Sequence, residues 1–141
     1  MSNEAVLEIP ARAEYLYLVR SVVAAAASID AGLSPARIAD LRVAVSEAVT
    51  NAIRSHVEAG KTERVVVRCW VDEDRFVVEV SDHGAGFDQA ALDPVPAPDD
   101  PARLGREHGL GVPLMRILTD ETQIDSGAAG TSVRLVLFSG R

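Results

Sequence analysis

The pair Ser34-Pro35 is the sharpest boundary in the chain, and the segment it opens decides what the rest can be. A serine at the N-cap accepts a hydrogen bond from the first helical turn, and proline suits the first helical position because it has no N–H to leave unpaired. From there Ile38, Leu41, Val45, Ala48, Ala52 and Ile53 recur at helical spacing until the pattern fades at Ala59-Gly60. The spacing predicts one long helix with an apolar stripe, and such a stripe has to pack on another layer. Two strand-like runs follow directly. Arg64 to Val71 and Arg75 to Ser81 flank Asp72-Glu73-Asp74, a link short enough to predict an antiparallel hairpin.

The remaining elements fit around that core. Ala5 to Ile9 alternates and stops at Pro10, as a short edge strand does. Between Arg12 and Ile29, Leu16, Val19, Val22, Val23 and Ala26 mark a second helix, closed by Asp30-Ala31-Gly32. Gly109 to Thr119 reads as a third helix, and Gln123 to Ser126 and Thr131 to Phe138 read as strands around Gly127-Ala128-Ala129-Gly130. The order predicts an α+β fold: a two-layer α/β sandwich, its sheet mostly antiparallel and its helices on one face. Residues 88–108 hold four of the seven prolines and five acids with little periodicity, the texture of a lid, a binding loop or disorder. With no repeat and no second domain in view, residues 1–141 are read as one domain.

Composition narrows the partners. Hydrophobic residues make up 48% and charged residues 25%, a globular balance. The net charge of −7 argues against a nucleic-acid surface and against an anionic membrane. No run without a polar side chain, Val22 to Ala27 included, approaches the roughly 20 residues that span a bilayer. Met1-Ser2-Asn3-Glu4 lacks the basic start and apolar run of a signal peptide, so a cytoplasmic location is expected. The single cysteine, Cys69, allows no disulfide within the chain and sits in a strand pattern that predicts a buried small hydrophobe.

Three pieces carry chemistry, and their order matters more than any one of them. Glu47 and Asn51 lie four residues apart and share a helix face; alone, such a pair could simply be solvated. An asparagine oxygen suits magnesium, which prefers oxygen ligands and often takes others from water and substrate phosphates. Glu47, one turn earlier, could then hold an incoming hydroxyl or a water. Asp82-His83-Gly84-Ala85-Gly86-Phe87 follows a strand, so the Asp82 carboxylate sits where the chain leaves the sheet. It could accept a hydrogen bond from the exocyclic amine of adenine, or belong to an ordinary turn, with His83 a surface turn residue. Gly109-Leu110-Gly111 opens a helix whose N–H groups and dipole suit phosphate. It is neither a Walker loop nor a dinucleotide fingerprint. Together the pieces describe an ATP pocket.

Glu47 to Ile53, Asp82 to Phe87, Gly109 to Gly111 and the closing Gly130-Thr131-Ser132-Val133 resemble, in order, the nucleotide motifs of the Bergerat-fold, histidine-kinase-like ATPases. The opening Leu7-Glu8-Ile9-Pro10-Ala11 and the run Leu41 to Ile53 look specifically like the bacterial anti-sigma factors that are also serine protein kinases. That resemblance implies Glu47 as the catalytic carboxylate, Asn51 as a magnesium and ATP ligand, and Asp82, supported by Thr131, at the adenine. It implies that Gly84, Gly86, Gly109 and Gly111, with Leu110 between the last two, frame the nucleotide and hinge a lid, residues 88–108. Arg103 and Arg106 in that lid could neutralise the phosphate, although two loop arginines are more often merely solvated. Family analogy alone makes Arg20 a candidate partner contact. It further implies transcription regulation by a homodimer, as in stress response or sporulation. Such a protein sequesters a sigma factor, is released by an anti-sigma-factor antagonist, and phosphorylates a serine of that antagonist with ATP and Mg2+.

One departure is visible. Many relatives carry a histidine four residues after the motif asparagine; here Ser55 stands there and His56 follows, before Val57-Glu58-Ala59. Either the helix end is rearranged, or phosphate contact passes to Ser55 and Arg54. A binding module of the same fold without kinase activity is the alternative function. The stand-alone ATP-binding half of a histidine kinase is a weaker rival, because His56, His83 and His108 all lie within or beyond the nucleotide motifs.

Overall fold

The computed structural model describes residues 3–84 and 111–139. Its elements run β1 (Ala5–Ile9), a short 3-10 turn (Ala13–Tyr15), α1 (Leu16–Ala26), a π-wound turn (Ala27–Ala31), α2 (Pro35–Ala59), β2 (Val65–Asp72), β3 (Arg75–Asp82), α3 (Gly111–Leu118), β4 (Glu121–Gly127) and β5 (Gly130–Phe138). The strands form one five-stranded sheet in the order β1-β2-β3-β5-β4. Every pairing in it is antiparallel. The helices lie on one face, with α2 against β3 and β5 at the centre and touching both α1 and α3. This is the expected α+β sandwich.

Local chemistry explains the elements. Ser34 caps α2 by accepting a hydrogen bond from Arg37 N at 3.3 Å, with Pro35 at the first helical position. The buried stripe of α2 is Leu41, Ala44, Val45, Ala48, Val49, Ala52 and, unexpectedly, His56. It meets Val65, Val67 and Cys69 of β2, Phe76, Val78 and Val80 of β3, and Val133, Leu135 and Leu137 of β5 in one core. Each large side chain buried there contributes roughly 1.5–3 kcal/mol. Arg37 donates to Asp120 Oδ2 at 2.6 Å, and the same oxygen accepts from Phe138 N at 2.8 Å, which ties the start of α2 to the α3–β4 turn and the end of β5.

Cys69 is buried as expected; burial, helped by the nearby Asp30 and Glu4 carboxylates, pushes its thiol up to about 11. A thiol held there is inert at neutral pH. Three boundaries differ from the sequence expectation. The β2–β3 turn is tighter, since Asp72 pairs with Arg75 and only Glu73 and Asp74 remain in the loop. That geometry puts Glu73 at φ 57°, a left-handed conformation a two-residue hairpin turn demands. β4 begins two residues early, because Glu121 and Thr122 pair with Val136 and Leu135. The first helix begins later and its last turn is π-wound. The expected lid, 88–108, lies outside the described residues.

The cap offers a simple check. Ser34→Ala should lower stability by about 1 kcal/mol, the usual cost of losing an N-cap acceptor. In urea the unfolding midpoint should fall while the slope stays unchanged.

Candidate functional site

α2 turns through about 100° per residue, so Glu47, Asn51 and Ser55 form a line on its surface beside the buried Ala48 and Ala52. The strand side of the site follows from parity. Successive side chains of a strand point to opposite faces, so Asp82 shares with Phe76, Val78 and Val80 the face that meets α2. In β5 the same alternation groups Thr131 with Val133, Leu135 and Leu137, and the register sets Asp82 opposite Thr131. A carboxylate thus stands at the last rung of the central ladder, on the helix side.

Asp82 divides its oxygens between two tasks. Oδ1 accepts from Gly84 N at 2.9 Å and from Thr131 N at 3.2 Å. Among the described residues Oδ2 has no hydrogen-bond partner. The Thr131 hydroxyl is held by Ser126 at 2.9 Å. Between α2, α3 and the sheet lies a cavity of about 120 Å³. Ala48, Ala52, Val80, Val112, Met115, Ile124 and Val133 give it an apolar lining; Asn51, Arg54, Ser55, Glu58, Asp82 and Thr131 supply polar atoms. An apolar slot with a few placed polar groups is the ordinary form of a small-molecule site. Arg54 Nη1 lies 3.5 Å from Asn51 Oδ1, at the outer limit of a hydrogen bond.

Three glycines make close approaches to neighbouring elements. A Cβ on Gly84 would lie 1.7 Å from Ser55 Oγ, so this turn rests directly on α2. A Cβ on Gly111 would lie 2.6 Å from Glu47 Oε2, so the start of α3 rests on the Glu47 side chain. Gly130, at φ 135°, brings its Cα so near Asp82 that a Cβ would fall 2.0 Å from the Asp82 carbonyl oxygen. Only glycine suits that conformation.

Of the residues expected from sequence, Asn51, Ser55, Asp82 and Thr131 line this cavity together. Gly84 and Gly111 close on it from β3 and α3, and Glu47 stands one turn beyond Asn51, against Gly111 and outside the cavity lining. Gly86, Arg106, Gly109 and Leu110 lie outside the described residues, as do Arg103 and His108. The helix end is not rearranged: α2 continues regularly to Ala59. His56, one residue beyond Ser55, is rotated away from the cavity face and fully buried. His83 is an exposed turn residue, as expected, but its backbone N donates to His56 Nε2 at 2.7 Å. The buried role of His56 was missed, although its place on the stripe after Ala48 and Ala52 could have revealed it.

These features define a class: a two-layer α/β sandwich with a ligand cavity between its long central helix and the end of its central strands. The model of the histidine kinase-like ATPase domain matches residues 9–137. A serine-protein kinase RsbW of Bacillus licheniformis is 43% identical over 124 residues, which cover 84% of this chain and 76% of that protein. The Bacillus subtilis serine-protein kinase RsbW is 36% identical over 138 residues, 95% of this chain and 85% of that one. The chain belongs to the histidine kinase-like ATPase family, among the relatives of the RsbW serine-protein kinases. Among solved structures, the RsbU and RsbW domains of a Mycobacterium tuberculosis protein superpose with a TM-score of 0.69 at 22% identity, covering 97% of this chain and 32% of that one. At that identity the likeness speaks for the fold.

Proposed function

We propose that this protein is an ATP-dependent serine protein kinase that also acts as an anti-sigma factor. It sequesters a sigma factor and phosphorylates a serine of the antagonist that would release it. One observation carries the reading: Asp82 spends one carboxylate oxygen on Gly84 and Thr131, while the other has no partner among the described residues, at the wall of an apolar cavity that Asn51 also lines. An acceptor so held suits the exocyclic amine of adenine, and the apolar walls suit the faces of the base. The identity with serine-protein kinases over most of the chain supports the choice of reaction.

The residues then take these roles. Asp82, with Thr131 beside it, binds the base. Gly84 and Gly111 let the turn after β3 and the start of α3 seat on α2 at the edge of the site, and Gly86, Gly109 and Leu110 would frame the nucleotide with them. Asn51 offers one hard oxygen, which fits a magnesium ion that draws its other ligands from water and phosphate. When bound, that ion supplies charge neutralisation at the phosphates. Ser55 and Arg54 line the cavity and could meet phosphate there. Arg106 would meet the γ-phosphate. Glu47 accepts the proton of the incoming serine hydroxyl as its oxygen bonds to the γ-phosphorus and ADP leaves. The protein works as a cytoplasmic homodimer in transcription regulation.

Titration calorimetry tests the reading at its base. Mg-ATP should bind saturably, and Mg-GTP should bind at least about tenfold more weakly because it presents a carbonyl where adenine presents an amine. Equal affinities would remove Asp82 from the base.

A further inference from the structure

His56 is a fully buried polar ring that neither the cavity nor the proposed chemistry uses. A buried imidazole is tolerated only when both ring nitrogens are paired. Here they are. Nδ1 lies 2.9 Å from the Glu63 carbonyl oxygen, and Nε2 lies 2.7 Å from the backbone N of His83. A backbone N–H can only donate, so Nε2 must accept; the ring is therefore neutral, with its proton on Nδ1 donated to Glu63.

The segment it grips is the one that carries Asp82. His83 lies between Asp82 and Gly84, and Gly84 N donates to Asp82 Oδ1. Gly84 itself seats on Ser55. Two consecutive residues of α2 thus hold two consecutive residues of the turn: His56 through a hydrogen bond, Ser55 through packing. Ser55 lies on the cavity side and His56 on the core side, so the turn is fixed from both. We propose that His56 is a positioning residue for nucleotide binding, whose Nε2 fixes the Asp82-His83-Gly84 turn and thereby the aim of the Asp82 carboxylate. This rests on the nucleotide reading above.

Two near-isosteric variants separate positioning from mere support. In His56→Gln the amide oxygen can take the place of Nε2 and accept from His83, while the bond to Glu63 is lost. In His56→Asn the amide nitrogen can take the place of Nδ1 and donate to Glu63, while the His83 N–H is left unpaired. Each loses one hydrogen bond, so the two should unfold at similar urea concentrations. Calorimetry with Mg-ATP should nevertheless find His56→Gln close to wild type and His56→Asn about three- to tenfold weaker. Equal losses in the two, or losses that merely follow stability, would overturn the proposal.

Asp82→Asn, measured alongside, separates the two levels of failure. If it binds Mg-ATP like the wild type, the nucleotide reading falls and takes this inference with it. If it is weakened while His56→Asn is not, this inference falls alone. Long-range proton–nitrogen spectra of the wild type need no variant to fold: His56 should show a protonated Nδ1 and a bare Nε2, and the opposite tautomer would refute the clamp.

Discussion

A Glu47→Gln protein should bind Mg-ATP nearly as tightly as the wild type, yet phosphorylate its protein substrate at least about a hundredfold more slowly. The expected size is the usual contribution of a general base, 10² to about 10⁴. Glu47 stands outside the lining of the cavity, so the bound nucleotide gains little from its charge. A proton acceptor for the incoming hydroxyl is felt in the transition state far more than in the ground state. Glutamine has the same shape, so the close contact of the Glu47 side chain with Gly111 survives the change and the start of α3 keeps its seat. Asn51→Ala should differ in kind, although it is only one helical turn away. Asn51 lines the cavity and would hold the metal, so its loss should weaken Mg-ATP binding and phosphorylation together. Calorimetry and phosphate transfer to the cognate antagonist, run on both variants, make the comparison. A Glu47→Gln protein that phosphorylates at the wild-type rate would strip this residue of its role, and wild-type protein that binds ATP without transferring phosphate would favour a regulatory binding module.

The sequence made the architecture legible where a single residue had a single job. Ser34-Pro35 could only begin a helix, and Gly60 ends it in the left-handed conformation at φ 64°. The apolar, β-branched runs of β3 and β5 were enough to predict strands in a mostly antiparallel sheet and to put Asp82 where a strand leaves it, although consecutive buried residues in both break strict alternation. Positions where tertiary contact outweighs local preference were not legible. Glu73 adopts a positive φ because the strand register leaves only two residues for the turn, and nothing in glutamate announces that. The cavity residues Met115 and Ile124 come from elements far along the chain, and nothing in their spacing singled them out. His56 is the instructive case. Read beside Asn51 it suggested a rearranged helix end or a phosphate contact passed to Ser55 and Arg54, whereas read by helical angle it continues the buried stripe, and only the distant Glu63 and His83 give its nitrogens partners. Spacing predicted which residues share a face; it could not predict which buried polar atoms meet.

Asp82→Asn should weaken Mg-ATP about ten- to hundredfold while leaving the fold almost unchanged, and it should erase most of the preference over GTP. The two effects separate because the carboxylate has two jobs. Its Oδ1 accepts from the backbone N–H groups of Gly84 and Thr131, and asparagine can keep both bonds by presenting its one oxygen there. The amide nitrogen must then take the place of Oδ2 at the cavity wall, where it can only donate. Facing the exocyclic amine of adenine, a donor meets a donor, and a hydrogen bond to a charged group worth roughly 1.5–3 kcal/mol is lost. Facing the carbonyl of guanine, the same nitrogen finds an acceptor, so GTP should lose far less or gain. Calorimetry with both nucleotides reads the ratio directly, and urea unfolding reads the fold. Equal weakening for ATP and GTP would mean that the substitution damaged the cavity rather than its code for the base, and unchanged ATP affinity would place the adenine elsewhere.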